Sequence, residues 1–268
     1  MKRKTSDSAE RIRLFMPAVC LDATGIARPR ALRYTSGDMR WVKLFTAILL
    51  LPACAATTLT AVQIGHALIA GSQTSSAIAF GAGYALWLVV FAFLPKPMRT
   101  YVFGHELTHA LWALLMGARV SGLKVRKSGG QVRTSKTNWA ITLAPYFFPF
   151  YAVLFIAGFF IVHAIWNLTG YMWVLLFLVG LGWSFHVTFT LMILLSVNQP
   201  DVQSQGVLFS AVVIYLMNLL TMTGTATTLS HALSFGLLAK TFALNFTASY
   251  GWMLDNLVAL WNYVAHRR

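Results

Sequence analysis

Residues 98–117 read Met98-Arg-Thr-Tyr-Val-Phe-Gly-His-Glu-Leu-Thr-His-Ala-Leu-Trp-Ala-Leu-Leu-Met-Gly117. Beyond Arg99 and Thr100 the run is largely apolar and holds a tight ionisable group, His105, Glu106 and His109, in the pattern HExxH. On a helix, residues four apart share a face, so His105 and His109 can aim two imidazoles at one point. Glu106 sits beside the first of them. Glu10 and Glu106 are the only glutamates in the chain. At that composition a chance HExxH is expected in about one such chain in a thousand, so the pattern is a strong signal. An unpaired carboxylate in an apolar, bilayer-length setting is costly and marks function rather than packing.

The surroundings supply that setting. The chain has 268 residues, 57% of them apolar and 10% charged. Soluble domains carry about 25% charged residues, so too little polar surface exists here to cover a water-soluble globule. No charged residue lies between Lys43 and Lys96, and Asp201 is the only one between Lys136 and Lys240. Stretches of roughly 20 apolar residues span a bilayer as helices, and lipid-exposed backbone leaves helices as the sensible form. Apolar segments run over about 44–70, 77–95, 100–117, 139–166, 171–197 and 207–232. A weaker one over about 241–264 holds Asn245, Asp255, Asn256 and Asn262 and reads as a span or an interfacial helix. The expected fold is an all-α polytopic membrane protein with about six transmembrane helices.

The net charge of +14 fits membrane topology better than a nucleic-acid groove. Nine Lys or Arg fall within residues 1–40, and most others sit in short loops, as the positive-inside rule describes. Residues 1–41 form a basic tail that is expected to face the cytoplasm. Residues 42–268 form the membrane domain, with a catalytic core over about 100–215. No apolar stretch follows Met1-Lys-Arg-Lys4 until about Lys43, so the first apolar segment reads as a retained anchor rather than a cleaved signal. Cys20 and Cys54 are far apart and form no CxxC motif.

Residues 119–137 break the helical pattern. Val120, Leu123 and Val125 mix with polar residues, and Gly129-Gly130 signals a turn before Val132, so a short β-hairpin is expected after the HExxH helix. This hairpin carries six Lys or Arg and, like the tail, calls for the cytoplasmic side. Three full crossings between them would forbid that. Residues 77–117, interrupted by Pro95 and Pro97, are therefore expected not to be two simple spans.

A catalytic zinc uses three protein ligands and a water whose pKa it lowers towards 7, within reach of a carboxylate base. His105 and His109 are two such ligands, and Glu106 is the base. No glutamate follows Glu106, which excludes a downstream Glu ligand. Trp112 and Leu115 occupy the positions of Gly and His in the longer HExxHxxGxxH form, which excludes that too. Asp201, in Asn198-Gln-Pro-Asp201 between two apolar segments, leads as the third ligand. Asp255 is a weaker candidate. His186, in the segment before Asp201, can serve as a ligand or as a hydrogen-bond donor to an oxyanion. His66, His163 and His231 read as bundle-interior or interfacial residues. Thr108, Thr142, His186, Thr188 and Asn198 are candidates to line a water path.

The order HExxH, small-residue helix end at Gly117-Ala118, glycine-bearing hairpin, then Asp between later helices resembles the site-2 protease family of intramembrane zinc metalloproteases. The resemblance covers about 100–215. It implies zinc ligands His105, His109 and Asp201, catalytic Glu106, and substrate contact by Asn198. The chain differs from the family motif in having Pro200 before the Asp and Val202 after it. The implied activity is hydrolysis of peptide bonds in membrane-protein substrates, whose extended chain could add to the hairpin edge. The rival class is a metal-binding transporter or an inactive scaffold. A transporter calls for more intramembrane polar residues and often a repeat, and binding metal alone does not require Glu106.

Overall fold

The computed structural model describes residues 37–70, 74–126, 129–196, 199–230 and 233–267. The basic tail up to residue 36, Asn198 and His231 lie outside the described residues. The protein is mostly helical, with one antiparallel hairpin. Among the described residues, four helices are long and apolar enough to cross a membrane: Arg40–Ala70, Ser75–Phe93, Thr169–Leu195 and Val207–Leu229. A fifth candidate is the pair Trp139–Phe147 and Phe150–His163, bent by 77° at its break. These apolar helices are compatible with a multi-pass membrane protein. Neither the HExxH helix nor the last helix meets the same requirement.

The chain divides into two compact units. One joins Gly37–Ala77 to Leu208–Arg268. Its helices are α1 (Gly37–Ala70), α8 (Val207–Leu229) and α9 (Phe235–Ala265). α1 and α9 lie along each other, tied by Asn245, whose amide donates to Thr60 Oγ1 and Gln63 Oε1 at 3.0 and 2.9 Å. The Tyr250 hydroxyl donates to the Leu49 carbonyl at 2.7 Å. In lipid such bonds matter because no water competes for the donors. Asp255 is exposed on α9 and takes no part in the site described below.

The other unit, Ile78–Val207, contains the HExxH motif. It is built from α2 (Thr74–Phe93), α3 (Met98–Leu115), β1 (Val120–Arg126), β2 (Gly129–Thr134), α4 (Trp139–Phe147), α5 (Phe150–His163), α6 (Met172–Ser196) and the short α7 (Pro200–Gln205). α6 is its spine, fitted to its neighbours by glycines. A Cβ on Gly180 would overlap the Phe80 carbonyl of α2, and one on Gly83 would overlap the Phe177 carbonyl of α6. Two residues on, towards the opposite side of α6, a Cβ on Gly182 would lie 2.8 Å from the Ala152 nitrogen of α5. Small residues at these crossings let backbones approach where lipid offers no hydrophobic drive to association. Trp87, Phe185 and Phe189 fill the adjoining core, with Tyr101 and Tyr151 packed against them.

Two helix ends shape the site. α3 stops at Gly117, whose φ of 69° suits the left-handed position that ends helices. There the Ala118 amide returns to the Ala113 carbonyl at 2.8 Å. The chain then turns into the expected hairpin, with Leu123 opposite Val132 and Val125 opposite Gly130. α4 begins under an Asn138 cap, whose side chain accepts from the Ile141 amide at 2.9 Å. The segment 139–166 is not a straight helix. Phe148 is extended (φ −97°, ψ 111°) because the following Pro149 disfavours helical geometry in its predecessor. The chain turns there and restarts as α5.

Candidate metal centre

α3 places His105, Glu106 and His109 in the interior of the second unit. Glu106 and His109 are buried, at 1% and 0% exposure. The α7 turn brings in Asp201, also buried. Its Oδ2 lies 3.5 Å from His109 Nε2 and 3.8 Å from His105 Nε2. Ligand atoms of all three residues fall within 4.8 Å of one another. Among the described residues, this is the group of His, Cys, Asp and Glu side chains that can hold a metal ion. Charge census, not spacing, singled out Asp201 in the sequence, and the fold brings it to the two histidines.

The surroundings fit a cation better than a plain hydrogen-bonded cluster. His109 Nδ1 donates to the Ile141 carbonyl at 2.8 Å; a carbonyl only accepts, so Nδ1 carries a proton, and in the neutral imidazole Nε2 keeps the lone pair. His109 Nε2 has no hydrogen-bond partner although it is buried, and neither has Glu106 Oε2. Buried polar atoms are rarely left unsatisfied without a functional reason. A cation facing Nε2, with a water between it and Glu106, would satisfy both.

Why the Ile141 carbonyl is free is written in the sequence. Within a helix it would accept from the amide four residues on, which here is Pro145, and proline has no N–H. Pro145 thus leaves one α4 carbonyl without its helical donor, and His109 occupies it. On α3, Tyr101 stands one turn before His105, its hydroxyl 3.3 Å from Nδ1. The Tyr101 ring stacks on Phe189 with centroids 4.8 Å apart. From α4, the Tyr146 hydroxyl donates towards Asp201 Oδ2 at 3.2 Å and lies 3.4 Å from Gln199 Oε1.

The hairpin reaches the same place. A Cβ on Gly130 would overlap Glu106 Cγ and lie 2.6 Å from Cδ and 2.7 Å from Oε1. The backbone of β2 therefore lies directly against the Glu106 side chain. His186 is buried and lines a pocket with Tyr101, Gly104, His105, Thr108 and Tyr151, outside the three-ligand group. Thr142 and Thr188 do not line this pocket; their hydroxyls bond the Asn138 and Ser184 carbonyls. His163 ends α5 by accepting from the Leu168 amide at 2.9 Å, and His66 is exposed on α1.

Sequence reasoning missed Tyr101, Tyr146, Pro145 and Gly130. Tyr101 had a readable signal, its i−4 spacing from His105. The others become visible only when α4 and β2 fold back on α3. Comparison with protein-family models, with curated proteins and with solved structures finds no match. Only the geometry of this chain bears on its function.

Proposed function

We propose that the protein is an intramembrane metalloprotease of the site-2 type, with His105, His109 and Asp201 as zinc ligands and Glu106 as catalytic base. The observation that carries this reading is the convergence of Asp201 on both imidazoles beside a buried Glu106 whose Oε2 has no partner. A zinc ion held there supplies an acidified water and polarises the scissile carbonyl. Glu106 takes the proton of the attacking water as its oxygen bonds to the carbonyl carbon. As the C–N bond breaks, Glu106 passes that proton to the leaving nitrogen. Asp201 and the imidazoles bind and orient. We assign to His186, which lines the same pocket as His105, the donation of a hydrogen bond to the developing oxyanion. The substrate is a membrane protein, unwound locally so that its carbonyls are open to attack. An edge of the β1–β2 hairpin beside Glu106 suits capture of such an extended chain by strand addition.

Counting α9 as a span, with the four straight candidates and the bent pair, gives six crossings. α3 then does not cross, so two crossings separate the basic tail from the basic hairpin, and both meet the charge rule on the cytoplasmic side.

The test compares wild type, Glu106→Gln and Asp201→Asn. Mapping of new protein termini in membranes containing each should show cleavages with wild type that both variants lack. Zinc should remain with Glu106→Gln and fall with Asp201→Asn. Equal cleavage by Glu106→Gln would overturn the mechanism. Zinc binding by wild type with no cleavage attributable to Glu106 would favour a metal-binding scaffold.

A further inference from the structure

We infer that Tyr101, Tyr146 and Pro145 form a positioning shell, one member aiming each ligand of the metal site. The inference rests on the proposed His105–His109–Asp201 site and goes beyond it to the residues that hold its geometry.

The three contacts follow one logic. A metal-binding imidazole must present one nitrogen as a lone pair, and a hydrogen bond at the other nitrogen fixes which one. The Ile141 carbonyl does this for His109, and Pro145 keeps that carbonyl open. The Tyr101 hydroxyl lies 3.3 Å from His105 Nδ1; accepting from it there would leave the lone pair on Nε2, the atom that faces Asp201. Stacking on Phe189 holds the Tyr101 ring. The Tyr146 hydroxyl fixes Asp201 by donating to its carboxylate. Its ring is fully buried and stands edge-on to His105 with centroids 5.3 Å apart. Each is argued to act through a ligand, which is why the test below reads metal affinity and not turnover.

Pro145 gives the sharpest discrimination. Alanine is much the better helix former, so a role confined to helix structure predicts that Pro145→Ala is harmless or stabilising. A positioning role predicts the opposite for metal. The new amide would compete with His109 for the Ile141 carbonyl and let the ring turn.

The experiment measures zinc affinity of the full-length protein in detergent by competition with a chelator of known affinity, alongside thermal melting without metal. Tyr101→Phe and Tyr146→Phe should each bind zinc about 10–100-fold more weakly. Pro145→Ala should lose about tenfold, at the lower end of that range, with metal-free melting unchanged or raised. Tyr151→Phe is the control. It removes a hydroxyl from the same aromatic cluster, one that donates to the Thr100 carbonyl and to no ligand, and affinity should not change. Wild-type affinity in Tyr101→Phe and Tyr146→Phe would overturn the proposal, as would an equal loss in Tyr151→Phe. His109→Ala separates the two levels. If it binds zinc like wild type, the site assignment itself fails; if it loses zinc while the shell variants do not, only the shell fails.

Discussion

Gly130 has no side chain, and Glu106 already fills the space that a methyl group would need. Gly130→Ala must therefore push the carboxylate aside, move β2, or both. A displacement of about 1 Å in a catalytic group can cost on the order of 100-fold in rate. Gly130→Ala is expected to lower cleavage by about that factor while zinc remains bound, since no ligand is touched. Gly122→Ala in the partner strand, where the nearest atom is 3.9 Å away, should cleave like wild type. Parallel assays of turnover and zinc content decide the matter; a fully active Gly130→Ala protein would refute the contact. At this scale the sequence was legible where side chains converge through fixed helical spacing, as do His105 and His109 with Glu106 beside them. Asp201 was legible because so few carboxylates were available. Gly130 and Tyr146 were not, because their importance lies in what lands beside them after folding.

Helices meet through glycines in the unit that carries the site. Gly180 against the Phe80 carbonyl and Gly83 against the Phe177 carbonyl make the α2–α6 crossing a backbone-to-backbone contact. Even a Cβ cannot enter there without separating the helices. Overpacking of this kind costs about 1–3 kcal/mol. Gly180→Ala is expected to lower the melting temperature of the purified protein clearly. Gly158→Ala, with nothing near its Cβ, should melt as wild type or slightly higher. Equal melting of the two variants would count against the crossing. Hydropathy located most of these elements, since apolar length alone marks a span. It read 139–166 as one segment, however, because hydropathy is blind to direction. The bend lies at Phe148, ahead of Pro149, and a local rule about proline accounts for it where composition does not. The hairpin was legible from the mixing of apolar and polar residues and from Gly129-Gly130, whereas its approach to Glu106 was not.

For the molecule as a whole, scarcity of charge in the sequence points to a membrane protein, and the apolar helices are compatible with one. The number of crossings is harder to read, because α3 and α9 are long helices of only moderate hydropathy. Sidedness rests on the basic tail. Nine cationic side chains are hard to translocate. A cysteine placed at Arg30, with Cys20 changed to Ser, is therefore expected to resist a membrane-impermeant thiol reagent in intact cells and to react once the membrane is opened. Labelling of intact cells would reverse the orientation. The candidate site lies wholly within Ile78–Val207, yet the side chains that could hold an ion come from two distant stretches of that segment, α3 and α7. An ion shared between them would act as a crosslink on the chain. By mass action, a ligand that binds only the folded form at a hundredfold excess over its Kd adds about 2.7 kcal/mol to folding. Supply of the ion would then govern how long the polypeptide survives as well as whether it works, and a cell starved of it would lose the protein itself along with its activity.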